Sequence, residues 1–232
     1  MKYTAFIFAR GGSKGLKNKN LLNFSNNPLI VHTIKNAISS GLFNDVVVST
    51  DNKKIANISR EAGASVPFIR PKTLATDDSN EWLSWKHAIE NYNKNLECFI
   101  SIPCTCPLRN YKEIGKMIKF YEQNTFDAVV GITDSNHSPD FNMANRLETG
   151  QITIINDNNK ITRRQDANQC YLITTYAYIT TPKYILNFNN LFDGKVGGYT
   201  VTKQESIDID DKFDFDFAKY IYMINKQNNE IF

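Results

Sequence analysis

The sequence predicts an α/β fold in which a mostly parallel sheet carries helices on both faces and one small element protrudes. Three observations carry that expectation. Strand-like apolar runs alternate with helix-periodic segments from the first residues onward, and the strand runs are continuously apolar rather than alternating. The rhythm then breaks once, between residues 134 and 175. Continuous apolar runs suit strands covered on both faces, and repeated β-α units place the helices that cover them.

Taken in order, Tyr3–Ala9 reads as the first strand, and the basic loop Arg10–Asn20 follows it. Pro28 opens a helix with Leu29, Ile30, Ile34, Ala37 and Ile38 on one face, and Gly41 ends it. Asp45–Ser49 holds three successive valines and reads as a buried strand; Asp51 suits the cap of the next helix, which stops at Gly63. A strand at Ser65–Phe68, a helix capped by Ser79, a strand at Cys98–Ile102, a helix at Tyr111–Asn124 and a strand at Ala128–Thr133 continue the pattern. The polar, Asn-rich stretch Asp134–Thr175, with a strand at Gln151–Ile155, reads as an insertion that leaves the main sheet. The chain returns through Tyr176–Thr180 and a helix start at Thr181–Pro182. Asp211 then caps a last helix whose Phe213, Phe217, Tyr220, Ile221 and Ile224 share one face.

Length and composition suit one domain over residues 1–232, with 134–175 as an arm within it. With 41% hydrophobic and 22% charged residues, the chain can bury a core without disulfides or a structural metal. The net charge of +3 gives no ground for a nucleic-acid surface. No run approaches ~18 consecutive apolar residues, and no cleavable leader is visible, so no membrane span is expected and a cytoplasmic location is. Cys104 and Cys106 form C-x-C rather than C-x-x-C, so reduced structural thiols are expected rather than a zinc site.

Charge is distributed unevenly. Residues 1–44 carry Lys2, Arg10, Lys14, Lys17, Lys19 and Lys35 without one acid, whereas residues 205–216 carry Glu205, Asp208, Asp210, Asp211, Asp214 and Asp216 against Lys212 alone. The run Ala9-Arg10-Gly11-Gly12-Ser13-Lys14-Gly15 sits where ligands bind in such sheets, beyond the carboxyl end of a strand. Glycines there let backbone N–H groups approach a phosphate, and the basic side chains add charge. The Walker and G-x-G-x-x-G patterns are both absent, which argues against a P-loop ATPase and a Rossmann dehydrogenase. In Ile207-Asp208-Ile209-Asp210, strand geometry would send both carboxylates to one side, a Mg²⁺ environment when phosphates are near; a solvated acidic turn is the other reading.

The run ARGGSKGLKNKN resembles the signature of CMP-sialic acid synthetases. The likeness continues through NPLIVHTIKNAISSGLF, VVVSTDNKKIANISREAGASVPFIRP, LATDDS, CTCPLR, RRQ and SIDID, in order over most of the chain. The resemblance implies a single α/β domain of the nucleotide-diphospho-sugar transferase (Rossmann-like) type with a dimerisation element. It implies transfer of a cytidylyl group from CTP to a sialic-type 2-keto sugar acid with Mg²⁺, in a homodimer. Arg10 and Lys19 become catalytic phosphate ligands, with Ala9, Gly12, Ser13, Lys14, Asn20 and Arg70 around CTP. Asp208 and Asp210 become catalytic metal ligands, and Arg163, Arg164 and Gln165 face the sugar acid.

Alternatives stay open for Arg70, as a surface arginine before a turn proline, and for Arg163–Gln165, as an ordinary basic turn. CMP-Kdo synthetase and a non-catalytic nucleotide-binding homologue are the rival functions. The sugar side departs from the family pattern: Pro103 stands where a glutamine is usual, Ser79-Asn80-Glu81 replaces a run of small residues, and Thr174-Thr175 replaces an Asn-Gly or Asn-Ala pair.

Overall fold

The computed structural model describes residues 1–13, 15–92, 94–156, 161 and 163–228, apart from the side chain of Arg164. Strand β1 (Tyr3–Phe8) leads to the first loop, and a small hairpin of β2 (Asn23–Phe24) and β3 (Asn27–Pro28) runs into α1 (Leu29–Ser39). There follow β4 (Asp45–Ser49), α2 (Lys53–Glu61), α3 (Glu81–Glu90), β5 (Cys98–Ser101), α4 (Tyr111–Gln123) and β6 (Ala128–Asp134). An outlying hairpin, β7 (Ala144–Arg146) and β8 (Ile152–Ile154), precedes β9 (Tyr171–Thr180), α5 (Pro182–Asn187), β10 (Val196–Thr200) and α6 (Lys212–Gln227).

The main sheet has the order β10-β6-β9-β5-β1-β4. β1 pairs in parallel with β4 and β5, and β10 with β6, while β9 runs antiparallel between β5 and β6. One face buries Ile30 and Ile34 of α1, Ile55 of α2, Ile114 and Met117 of α4 and Phe215 of α6. The other packs Trp82 and Trp85 of α3 and Ile185 of α5 over Phe6, Val47 and Phe99. Helices therefore cover both faces, as the apolar runs predict. No helix among the described residues is long and apolar enough to cross a membrane.

Several local expectations need correction. Ser65–Phe68 forms only a single bridge, Ser65 to Val47, because Pro67 removes the next ladder donor. The α2 cap is Asn52, whose Oδ1 accepts from the N–H of Lys54 and Ile55 at 2.8 and 3.2 Å. Asn80 rather than Ser79 caps α3, accepting from the Trp82 N–H at 2.9 Å. The returning strand begins at Tyr171, not Tyr176, since Tyr171–Ile173 extend the pairing with β6. The expected strand at Gln151–Ile155 is present as β8.

β10 was not expected, because its Val-Gly-Gly-Tyr-Thr sequence looks loop-like. A Cβ on Gly197 would lie 2.5 Å from the Phe126 ring and one on Gly198 2.6 Å from Ile132, so neighbouring side chains fill those positions. The apolar face of α6 is also phased differently. Phe213 is 76% exposed and Phe217 44%, whereas Phe215 and Ala218 are buried. The Asp211 cap is where the sequence places it, and the turn it starts aims Phe215 and Tyr222 at the Phe24 ring, 6.0 and 5.3 Å away.

The junction between β5, α4 and β9 rests on Arg109, which is 2% exposed. Its guanidinium donates to the carbonyls of Tyr176, Pro103 (2.8 Å) and Thr175 (3.1 Å). Arg109→Leu would strand these acceptors beneath the sheet, and a loss of about 3 kcal/mol is expected from buried groups left unpaired. Equilibrium urea unfolding measures it; a midpoint equal to that of the unmutated chain would contradict this account.

Candidate functional site

A cleft of about 430 Å³ opens where β1 and β5 end, lined by the first loop, the segment from Arg70 to Ser84, Thr105 and Asp210. The first loop is shaped by backbone anchors. Ala9 is fully buried and donates its N–H to the Ser49 carbonyl at 3.0 Å. The Arg10 carbonyl accepts from the Asn20 side chain at 3.1 Å, and Asp51 Oδ1 accepts from the Gly11 N–H at 2.8 Å. Asp51, expected as a helix cap, instead braces this loop.

Two of the loop glycines are required by close approach. A Cβ on Gly11 would sit 2.6 Å from the Asn52 amide, and one on Gly15 would sit 2.4 Å from the Asp210 carbonyl oxygen; Gly12 has open space. The Gly15 contact brings the basic loop against the acidic segment, and Lys19 tightens it. Lys19 Nζ donates to the Ile209 carbonyl at 2.5 Å and lies 3.6 Å from Asp210 Oδ1. The Arg10 guanidinium lies 2.7 Å from Asp77, with both side chains about one-third exposed. That ion pair is weak enough to yield to a phosphate.

Arg70 is 5% exposed, and its Nε has no hydrogen-bond partner. Burial pulls its pKa down from the usual arginine value, opposed by the charges of Asp51 and Glu81. It is a buried cation facing a ligand cleft, not a surface arginine.

The segment Ile207–Asp210 is not the expected strand. It is irregular and tied to the domain by the bond from the Ile209 N–H to the Thr105 carbonyl at 2.8 Å, with Ile209 fully buried. The Asp210 side chain is 82% exposed. Asp208 Oδ1 is buried and unpartnered, and burial followed by the neighbouring Asp210 charge raises the carboxyl pKa, against Thr105, Thr175 and Lys19. An orphaned carboxylate oxygen beside a second, solvent-facing carboxylate fits a hard cation that takes its remaining ligands from phosphates and water. No cluster of three or more such side chains forms among the described residues.

The structure thus gathers Arg10, Ser13, Lys19, Asn20, Arg70 and Asp210 around one cleft, with Ala9 and Gly12 in the loop itself and Asp208 two residues from Asp210. Lys14 and the Arg164 side chain lie outside the described residues. Arg163 pairs with Asp166 at 2.8 Å on the exposed arm, and Gln165 lines a separate recess with His137 and Cys170. This chain does not bring Arg163 or Gln165 to the cleft. Sequence reasoning missed Asp77, Glu81 and Thr105 as cleft residues. The run Leu74–Glu81 carried a signal, since two of these acids fall within or just after LATDDS.

The sequence pattern of the cytidylyltransferase family matches residues 4–232. A pseudaminic acid cytidylyltransferase from Campylobacter jejuni is 28% identical over 98% of this chain and 99% of its own length. An N-acylneuraminate cytidylyltransferase from Streptococcus agalactiae is 32% identical over the whole of this chain, which spans 57% of that longer protein. Among solved structures, a CMP-2-keto-3-deoxy-manno-octonic acid synthetase complexed with CTP superposes with a TM-score of 0.74. It has 12% identity and covers 97% of this chain and 100% of its own, a likeness of fold.

Proposed function

The chain belongs to the cytidylyltransferase family, and from that premise we propose that it joins a nonulosonic acid to the cytidylyl group of CTP with release of pyrophosphate. The observation that carries this reading is the contact between the two oppositely charged motifs. Gly15 and Lys19 of the phosphate-suited loop lie directly against Ile209 and Asp210 of the acidic pair. A triphosphate on the loop would therefore present its α-phosphorus near carboxylates able to hold a cation. The likeness over the length of this chain to sequences named for pseudaminic and N-acylneuraminic acids supports a nine-carbon sugar acid as acceptor. The eight-carbon alternative has a likeness of fold alone.

In this reading Arg10, Lys19 and the loop N–H groups hold the triphosphate and offset the charge that grows on the departing pyrophosphate. One preorganised donor of that kind contributes roughly 10²–10³ in rate. Arg10 exchanges Asp77 for phosphate, and Arg70 offers its unpartnered Nε to the nucleotide. Asp208 and Asp210 would hold Mg²⁺ together with phosphate oxygens; when bound, the ion supplies Lewis acidity at the α-phosphate. The reading includes a cytoplasmic location, which suits the four free thiols.

The test is turnover with CTP and Mg²⁺ against pseudaminic, N-acetylneuraminic, N,N′-diacetyllegionaminic and 2-keto-3-deoxy-manno-octonic acids, followed by pyrophosphate release. One of the first three is expected to be preferred by at least about tenfold, the scale of one lost polar contact. Preference for the octonic acid would overturn the nine-carbon assignment. A Mg²⁺ titration of Asp208→Asn and Asp210→Asn then examines the metal pair. Each variant is expected to need more Mg²⁺ for half-maximal rate and to turn over more slowly; curves that superimpose on the unmutated chain would remove these carboxylates as ligands.

The same reading makes the arm a dimer contact. Leu147 and Ile152 of the outlying hairpin, and Tyr171, Leu172 and Ile173 on the projecting end of β9, are between 45% and 66% exposed. A second copy would cover them and could bring Arg163–Gln165 to the other copy's cleft. Sedimentation at micromolar concentration is expected to give a dimer, and a fully active monomer would contradict it.

A further inference from the structure

We infer that Glu81 accepts the proton of the attacking hydroxyl during cytidylyl transfer, an assignment that rests on the transfer reading above. Glu81 is the first residue of α3, directly after the Asn80 cap, and it lines the cleft together with Arg70, Thr105 and Asp210. The other acids of the cleft are engaged. Asp77 holds Arg10 and Asp210 lies against Lys19, and the transfer reading gives Asp208 and Asp210 to Mg²⁺. Among the described residues, no cation forms an ion pair with Glu81. It accepts one hydrogen bond, from Trp85 Nε1 to Oε1 at 3.3 Å, one helical turn along α3. That bond orients the carboxylate and leaves the second oxygen free.

The charged and titratable groups around it favour this role. Arg70 stands on one side, while Asp208 and the Tyr178 hydroxyl of β9 also feel its charge. Glu81 is exposed at the cleft wall, and partial loss of water around its carboxyl there, with a smaller contribution from Asp208, raises its pKa above the usual glutamate value, against Trp85 and Arg70. A carboxylate of raised pKa is the stronger base, and none of the described cleft residues is a histidine that could serve instead.

The step balances without a further reactant. The hydroxyl O–H bond breaks and its proton passes to the free Glu81 oxygen as the hydroxyl oxygen bonds to the α-phosphorus of CTP. The bond from that phosphorus to the oxygen bridging toward the β-phosphate breaks, and its electron pair leaves with pyrophosphate. Glu81 then returns the proton to water.

The experiment uses the full chain with CTP, Mg²⁺ and the sugar acid identified by the panel. If the unmutated chain turns over none of the sugar acids, the transfer reading itself fails, before any variant is made. Glu81→Ala is expected to lower kcat by about a hundredfold or more, the usual contribution of a general base, with CTP affinity by calorimetry little changed. Added formate, a small carboxylate able to enter the vacated space, is expected to restore part of the rate. An unchanged kcat, or a loss that formate leaves in place, would overturn the proposal. Glu81→Gln keeps the volume and the Trp85 contact, so it guards against a misfolded alanine variant. It is expected to melt like the unmutated chain and bind CTP while losing turnover, and a fully active Glu81→Gln enzyme would overturn the proposal as well.

Discussion

Everything at the site depends on a contact between residues from opposite ends of the chain. Lys19 reaches the Ile209 carbonyl across 190 residues of sequence, and Gly15 approaches the Asp210 carbonyl more closely than any side chain would permit. A loop rich in positive charge would otherwise splay into solvent, and an acidic segment would relax as a solvated turn. Held together, each neutralises part of the other's field while leaving groups that face the cleft. The sheet makes the meeting possible, because the first loop leaves β1 at the same end where Thr105, just beyond β5, anchors Ile209.

Five of the unpartnered polar atoms lie toward the same end of the sheet, while His87 Nδ1 on α3 and Asn225 Nδ2 on α6 do not line the cleft. Arg70 Nε, Asp208 Oδ1, Thr175 Oγ1 and the hydroxyls of Ser49 and Ser101 are buried without hydrogen bonds. Each would lower stability in an ordinary core by about 1–3 kcal/mol. Arg70 lines the cleft, Ser49 and Ser101 end β4 and β5, and Thr175 acts on Asp208. Of these groups only Arg70 lines the cleft, and a cation already stripped of water there would need little reorganisation when an anion arrives.

The sequence revealed the β-α order and the position of the loop because both rest on local signals: apolar runs, glycines and charge. It misjudged what depends on distant partners. Asp51 looks like a helix cap until Gly11 comes within reach, and the two glycines of β10 look like a loop until Phe126 and Ile132 fill the space beside them. The face of α6 was misphased because Phe213, Phe217 and Tyr220 have helical spacing of their own, while Phe24 selects Phe215 and Tyr222. Glu81 shows in the sequence only as part of the Ser79-Asn80-Glu81 departure from the family pattern, since an acid in the first turn of a helix is ordinary. Only the cleft around it sets it apart.

The antiparallel strand β9 has a consequence for how the chain is made. It lies between β5 and β6, so a central position of the sheet is filled by residues synthesised long after both neighbours. Until Tyr178–Thr180 emerge, Phe99–Ser101 present an apolar edge with unpaired N–H and C=O groups, a template for any other strand nearby. The β1-β4-β5 half assembles from contacts local to the first hundred residues, whereas β6 and β10 depend on that late closure. Partly synthesised chains that end before β9 would therefore carry this open edge on the half that holds the first loop, and such an edge invites misassembly.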